Sequence, residues 1–593
     1  MVLVGALALG ACGDSGGGDV DTSDTISDVD TPDTISDVDT GDDSASDADA
    51  IEGDSASDAD TSDVDTSGPT APWFEHAVFY EVFVRSFQDS DGDGIGDLRG
   101  LIDRLDYLND GVAGSGDDLE VDALWLMPIF TSPSYHGYDT TDYEAIDPDY
   151  GTMADFEALI AACEARGIKV VLDLVMNHTG RDHPWFLGAR QNTSDPKRGW
   201  YVWRGDDPGW KQPFGSDAVW HRWNDQYYYG IFTSGMPDLN YREPAVVAEM
   251  TRIAKGWLDR GAAGFRLDAA RYLVESATGG LAEQPETHAF WKSFRAELEA
   301  HAAASSLEAP YLVGEVWTSR PAVTTYYSGG TELHQAFDFD LQNAVLQTVS
   351  KAQASWLRSE LGAQKAAGAP WTFEATFLGN HDLDRASFKL SPSEIRATTF
   401  LLLTLPGTPY LYYGDELAMR SVITSGDPAK RGPMAWTATA PHGFTSGTPW
   451  LAFAPESDTR NVATALADPT SLLHLTQTLV RTRKAHPALT SGELTVLSPS
   501  DARLFAMLRK TADELLLVVV NVSNEEVPAT TLDLAANLAS GTGTWYISPV
   551  LGAVSPPQPI EPGQVATGAA WARHEGRIWK LQRQATPSDG GSR

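Results

Sequence analysis

ADFEALIAACEARGIKVVLDLVMNH, residues 154–178, is the stretch whose reading decides the fold. Its first part, ADFEALIAACEARG (154–167), is an Ala-rich helical pattern closed by Gly167, a residue that ends helices because it takes left-handed backbone at little cost. Its second part, KVVLDLVM (169–176), reads as a buried strand. Upstream, DALWLMPI (122–129) is a strand, LRGLIDRLDYL (98–108) an amphipathic helix and AVFYEVFV (77–84) another buried strand. Downstream, the helix AVVAEMTRIAKGWLDRG (245–261) leads to the strands AGFRLD (263–268), YLVGEV (311–316), TFEATFLGN (372–380) and PYLYYGDE (409–416), with helical stretches between them. Strands alternating with helices make a parallel sheet. The count approaches eight, and polar residues gather at the strand C-termini. That is the layout of a (β/α)8 TIM barrel with its chemistry on the C-terminal face.

The strand ends carry Asp173, Asn177 and His178 after the third strand, Arg266 and Asp268 on the fourth, Glu315 on the fifth, and His381 and Asp382 after the seventh. Three carboxylates converge on one rim. DLVMNH (173–178), GFRLDAAR (264–271), GEVW (314–317) and FLGNHD (377–382) resemble, in order, the four strand-end motifs of the α-amylase family, glycoside hydrolase family 13. GIGDLRGL (94–101), MPDLN (236–240) and GTPYLYYGDE (407–416) match further family segments, so the resemblance covers about residues 72–580. It implies a barrel with a loop-rich domain B inserted after strand 3, at about 179–235, and a C-terminal β domain.

Glycoside hydrolysis needs one carboxylate and one carboxylic acid flanking the bond. Asp268 and Glu315 stand on consecutive strands, which in a barrel lie ~4.8 Å apart. Carboxyls ~5–5.5 Å apart attack directly and retain the anomeric configuration. The resemblance implies the same roles: Asp268 as nucleophile, Glu315 as general acid and base, and Asp382 as the third carboxylate that holds sugar hydroxyls. Neighbouring Asp268 and Asp382 are expected to keep Glu315 protonated near neutrality by like-charge repulsion. Arg266, two residues before Asp268, points to the same side of its strand and offers the nucleophile a counter-charge. By resemblance, His178 and His381 bind hydroxyls, Tyr138 of HGYD (136–139) stacks under the sugar being cleaved, and His136 stands behind it. Asp139 can hold a non-reducing-end glucose. RGPMAW (431–436) resembles a segment of exo-acting α-glucosidases in which Arg431 would pair with that Asp.

FQDSDGDGIGDLRG (87–100) places Asp89, Asp91 and Asp93 at alternate positions with a turn-making Gly, the start of an EF-hand-like cation loop. Asp97 and the Ile95 carbonyl would complete a Ca2+ shell, and the family carries structural Ca2+ in this loop. The family's second Ca2+ site uses the Asn at 177 and a His where this chain has Tyr272, so it is not expected here.

The barrel is expected over 71–488. From 489 to 582, short strands with turns between them (LTVLSPS, LFAMLRK, ELLLVVVNVS, TWYISPV) predict a β-sandwich, and 583–593 read as a disordered tail. MPDLN resembles the version of an intermediary group between oligo-1,6-glucosidases and neopullulanases that contains lipoprotein α-amylases, and Ala269 after the nucleophile resembles α-1,4-acting members. The expected activity is therefore endo-acting α-amylase on starch, glycogen or maltooligosaccharides. The alternatives are exo-acting α-glucosidase, cyclomaltodextrinase and oligo-1,6-glucosidase, then a transglycosylase, and, further off, an inactive glucan-binding surface protein.

Of the net charge of −41, nineteen acidic residues and no basic one fall between Gly13 and Ser67. Such composition forms no core, so 13–70, with DTISDVDT repeated at 24–31 and 33–40, reads as a disordered acidic tether. Nothing here attracts a phosphate backbone, so nucleic acid is excluded as a partner. Residues 1–12 resemble a bacterial lipoprotein signal: a short apolar run, then Leu9-Gly10-Ala11-Cys12, with Cys12 the lipidated residue. This implies an exported protein anchored by lipid at the periplasmic face or cell surface. Cys163, the other cysteine, is expected as a buried thiol.

Overall fold

Eight parallel strands close into a barrel in the order 1-8-7-6-5-4-3-2. They are β1 (Phe79–Val82), β2 (Ala123–Leu126), β3 (Lys169–Leu174), β4 (Gly264–Leu267), β5 (Tyr311–Gly314), β6 (Gln335–Phe337), β7 (Glu374–Phe377) and β8 (Thr408–Tyr412). The computed structural model describes residues 71–538, 543–552, 556–566 and 569–584. Residues 1–70, with Cys12 and the stretches read as leader and acidic tether, lie outside the described residues.

Alternate residues point into the barrel. At its floor Phe79, Tyr311 and Tyr410 pack together, with Trp73 against Phe79 and Tyr311 and Phe74 against Tyr311 in tilted or edge-on contacts. Higher up, the inward positions turn polar at Glu81, Asp173 and Arg266. The register puts Asp173 and Val313 beside Arg266. Gly264 allows β4 and β5 to meet closely, since a Cβ there would stand 2.0 Å from the Tyr311 carbonyl. That contact sets the register that brings Asp268 and Glu315 past their strand ends side by side.

The helix Met153–Glu164 starts on a capping box, with Thr152 and Asp155 each accepting the other's backbone N–H. Cys163 on its inner face is fully buried. Domain B follows β3 and contains the helix Pro184–Gln191 and a three-stranded sheet of Trp203–Arg204, Gln226–Tyr229 and Trp220–Trp223.

The C-terminal region is a six-stranded antiparallel sheet of β9 (Glu493–Leu497), β10 (Leu504–Lys510), β11 (Leu515–Asn521), β12 (Thr544–Leu551), β13 (Gln558–Ile560) and β14 (Gly576–Gln584). One face packs on the barrel, where Val518 and Val520 join the core of Phe400. The other is covered by a two-stranded layer carrying Leu532 and Val565. The expected sandwich thus has a thin second layer, and β14 runs two residues into the segment read as tail. Buried Arg509 ties sheet to barrel by donating to the carbonyls of Thr404, Thr490 and Gly492, while buried Arg483, on the helix Leu472–Ala485, donates to the carbonyls of Leu403, Leu405 and Gly407 just before β8.

Candidate active site

Arg266 is the hub of the site. Its side chain is 2 % exposed and it meets three carboxylates. Nη1 lies 2.6 Å from Asp268 Oδ1 and 3.0 Å from Asp173 Oδ1, and Nη2 lies 2.8 Å from Glu315 Oε2. One planar guanidinium thus holds nucleophile and acid candidates in a fixed relation, which an ammonium could not do. Ala269 takes left-handed backbone (φ 50°) and turns its N–H toward Glu315 Oε2 at 3.3 Å. Burial, opposed by Arg266 and aided by Asp268 and Asp382, pushes Glu315 up to about 7. Desolvation therefore comes ahead of the like charges that the sequence suggested. Burial likewise lifts Asp173 to about 6 against the pull of Arg266.

On the other wall, His381 is fully buried, with Nδ1 2.6 Å from Glu81 Oε1 and Nε2 3.0 Å from Asp382 Oδ2. Tyr138 lies parallel to the His381 ring at 5.5 Å. Its hydroxyl is 3.0 Å from Asp173 Oδ2 and 2.7 Å from His381 Nε2. Burial opposes the charge on His381, but Asp382 and then Glu81 outweigh it and raise the imidazole to about 9. Burial would raise Asp382, yet His381 and Arg431 hold it far below the usual carboxylate range.

The site brings Asp268, Glu315, Asp382, Tyr138, Arg266 and His381 together. His178 is also buried at the rim, but its Nε2 faces the Tyr138 carbonyl at 3.0 Å and so supports the loop bearing that ring. Asp139 and Arg431 do not pair: among the described residues no ion pair joins them. Asp139 accepts from Ser132 Oγ at 2.7 Å and from Ser134 Oγ. Arg431 reaches Asp382 Oδ1 at 3.0 Å and Asp427 Oδ2 at 3.5 Å, and its Nε donates to the His381 carbonyl. The physical reason is local: Arg431 leaves the turn Asp427–Lys430 against the loop after β7, where the nearer carboxylate is Asp382.

Sequence reasoning missed Glu81, Asp427 and Lys430, whose Nζ holds the Asp382 carbonyl at 2.6 Å. It noted Asp173 but gave it no role. Glu81 and Asp173 are single acids inside apolar strands, and that signal was readable. Asp427 sits in an ordinary-looking turn.

In the cation loop, oxygens of Asp89, Asp91 and Asp97 lie within 4.8 Å of one another. Asp93 is not part of that group. Asp89 also accepts from Gly92 and Gly94 N–H, and Asp97 from Ser90 and Gly100, so the backbone pre-shapes the donor set. Hard carboxylate oxygens on a tight loop suit Ca2+. Asn177 Nδ2 bonds directly to Asp238 at 3.0 Å.

The model of the α-amylase catalytic domain matches residues 81–492. The chain belongs to the α-amylase family. Among relatives of this family, α-amylase 3 of Dictyoglomus thermophilum is 35% identical over 476 residues, covering 77% of this chain and 87% of that protein. A trehalose synthase/amylase of Mycobacterium tuberculosis is 35% identical over 495 residues, covering 74% and 80%. The solved α-amylase of H. orenii superposes with a TM-score of 0.74 at 34% identity, over 86% of this chain and all of that one. Within this α-amylase-family barrel, Asp268, Glu315 and Asp382 stand at the strand ends that the motifs assigned to them.

Proposed function

We propose that this family member hydrolyses α-1,4 bonds of starch, glycogen or maltooligosaccharides as a retaining, endo-acting α-amylase. The observation that carries the reading is Arg266 joining Asp268 and Glu315 on one guanidinium, with Glu315 raised to about 7. Asp268 attacks C1 while Glu315 gives its proton to the departing glycosidic oxygen. The C1–O bond breaks and a glycosyl-enzyme forms. Glu315, now a carboxylate, takes a proton from water, and the hydroxide released onto C1 frees Asp268. Asp382, ionised between His381 and Arg431, holds sugar hydroxyls as the ring flattens.

Endo action is supported by the separation of Asp139 and Arg431, each engaged elsewhere, so no direct ion pair closes the subsite before the scissile bond. The MPDLN segment and Ala269 agree. A second reading, exo-acting α-glucosidase, draws on Asp427 and Lys430, which crowd the same wall. The test is a maltoheptaoside capped at its non-reducing end. An endo enzyme cuts it at nearly the uncapped rate. No cleavage of the capped substrate, with rapid glucose release from maltose, selects the exo enzyme.

Two further elements belong to this reading. Asp89, Asp91 and Asp97 would hold a structural Ca2+, with Asp93 and the Ile95 carbonyl close by in the loop. Cys12 would carry lipid and hold the exported enzyme at a membrane surface.

A further inference from the structure

Glu81 lies on β1, far in sequence from every strand-end motif, and is 1 % exposed. Burying a carboxylate without a partner is costly, so its contacts define its role. Its Oε1 is 2.6 Å from His381 Nδ1 and 3.3 Å from the His381 backbone nitrogen. We infer that Glu81 is a positioning residue that holds His381 as a doubly protonated ring, and through that ring fixes Asp382 against the substrate. The inference rests on the proposed role of Asp382.

The argument is one of proton counting. An ionised carboxylate only accepts, so the short contact to Glu81 requires a proton on Nδ1. On the other side, the Tyr138 hydroxyl has one proton, and its bond to Asp173 uses it. The 2.7 Å contact between Tyr138 and His381 must therefore take its proton from Nε2. Asp382 Oδ2, 3.0 Å from the same nitrogen, also only accepts. Both ring nitrogens thus carry hydrogen. A bare Nε2 would set a lone pair against the Asp382 carboxylate and release its Oδ2.

The ring is enclosed by groups from several elements. Glu81 comes from β1, Tyr138 from the loop after β2, Asp173 from β3, and Asp382 from the loop after β7. The edge of Trp125 packs at 5.6 Å, and Arg431 Nε binds the His381 carbonyl at 3.0 Å. Tyr410, Tyr412 and Asp415 feel the charge of Glu81 from β8 and just beyond it. Among the described residues the nearby cations besides the ring are Arg266 and Arg431, both held by other carboxylates, and Lys430, whose Nζ meets the Asp382 carbonyl and Asp427. Glu81 is the carboxylate that faces Nδ1, and the raised titration of the imidazole agrees with that placement.

The test uses the full chain. Glu81→Gln keeps an acceptor for Nδ1–H and removes the charge, whereas Glu81→Asp keeps the charge. Imidazole titration by NMR, with labelled histidine and assignment by a His381 variant, is expected to show the ring deprotonating at least about one pH unit lower in Glu81→Gln. In the same variant, kcat above neutrality is expected to fall about ten- to a hundredfold with KM changed by less than about threefold, and to recover toward acid pH. Glu81→Asp is expected to retain the parent's ring titration and pH profile, and it carries the test if the Gln variant does not fold. An unchanged ring titration and pH profile in folded Glu81→Gln overturns the inference, as does an equal loss of kcat at every pH. If the parent chain cleaves no α-glucan, the proposed function fails, while the ring titration still decides the role of Glu81.

Discussion

Arg266→Lys should move the alkaline limb of activity upward. The guanidinium places Nη1 on Asp268 and Asp173 and Nη2 on Glu315, at 2.6, 3.0 and 2.8 Å. A lysine ammonium is a single point and can serve the Asp173–Asp268 side or Glu315, not both. The pair Asp173 and Asp268 offers two carboxylates against one, so the ammonium settles there and Glu315 loses its cation. The guanidinium lowers the Glu315 titration, and its withdrawal raises it above about 7. A charge-assisted hydrogen bond in such a setting is worth about 1.5–3 kcal/mol, or roughly one to two pH units if lost outright. Because the lysine keeps a positive charge nearby, the expected shift is about one unit. Free enzyme must hold Glu315 protonated to cleave, so the alkaline limb of kcat/KM reports that titration. The assay is kcat/KM for maltoheptaose from pH 4 to 10, with circular dichroism to verify folding. The variant is expected to lose about 10–100-fold at its optimum, since among the described residues the Ala269 N–H is then what remains to orient the Glu315 carboxylate. A limb that stays in place, or moves to lower pH, refutes the reasoning that Arg266 and Glu315 are coupled as described.

Other outcomes are equally concrete. Asp268→Asn should lower kcat by about 10⁴-fold or more without unfolding, because no glycosyl-enzyme can form; retention of a few per cent of activity in a homogeneous preparation removes Asp268 from its role. Chelation should lower the melting temperature, as a metal bound only to the folded state at a hundred times its Kd contributes about 2.7 kcal/mol. Asp91→Ala, at an exposed position of the loop, should reproduce that loss and abolish the response to chelator; identical melting curves with and without EDTA argue against a labile ion. Cys12→Ser should shift the enzyme from the membrane fraction to the soluble fraction of a bacterial host, and unchanged partitioning would discount the lipid anchor.

Seven of the eight barrel strands are legible as apolar runs, and β6 is not. Gln335–Phe337 is three residues long and set between His334 and Asp338, too short to show a period. The strands read from sequence also run long: 372–380 shrinks to Glu374–Phe377. Beyond the last ladder bond the chain remains apolar because it is still packed in the core, as Leu378 is. The acid pair is visible because chemistry at strand ends leaves carboxylates where packing alone would not. The supporting shell is harder to read. Whether Glu81 can be buried depends on His381, 300 residues away, and whether Arg431 meets Asp139 or Asp382 depends on how one turn is angled. Such outcomes are set by tertiary distances of a few ångströms, which a linear pattern does not encode.

The aromatic floor beneath the barrel has a mechanical meaning. Trp73 and Phe74, near the start of the described residues, pack on Tyr311 at the start of β5, and Glu315 follows the end of the same strand. At ~3.3 Å per residue, about 13 Å of hydrogen-bonded sheet separates the two. Any tension transmitted along the upstream chain is therefore delivered to the closed base of the barrel. There it is shared among neighbouring strands and does not reach the mouth as a lever on Arg266 and its carboxylates. A protease that severs the chain just before Trp73 would leave a barrel with all eight staves in place.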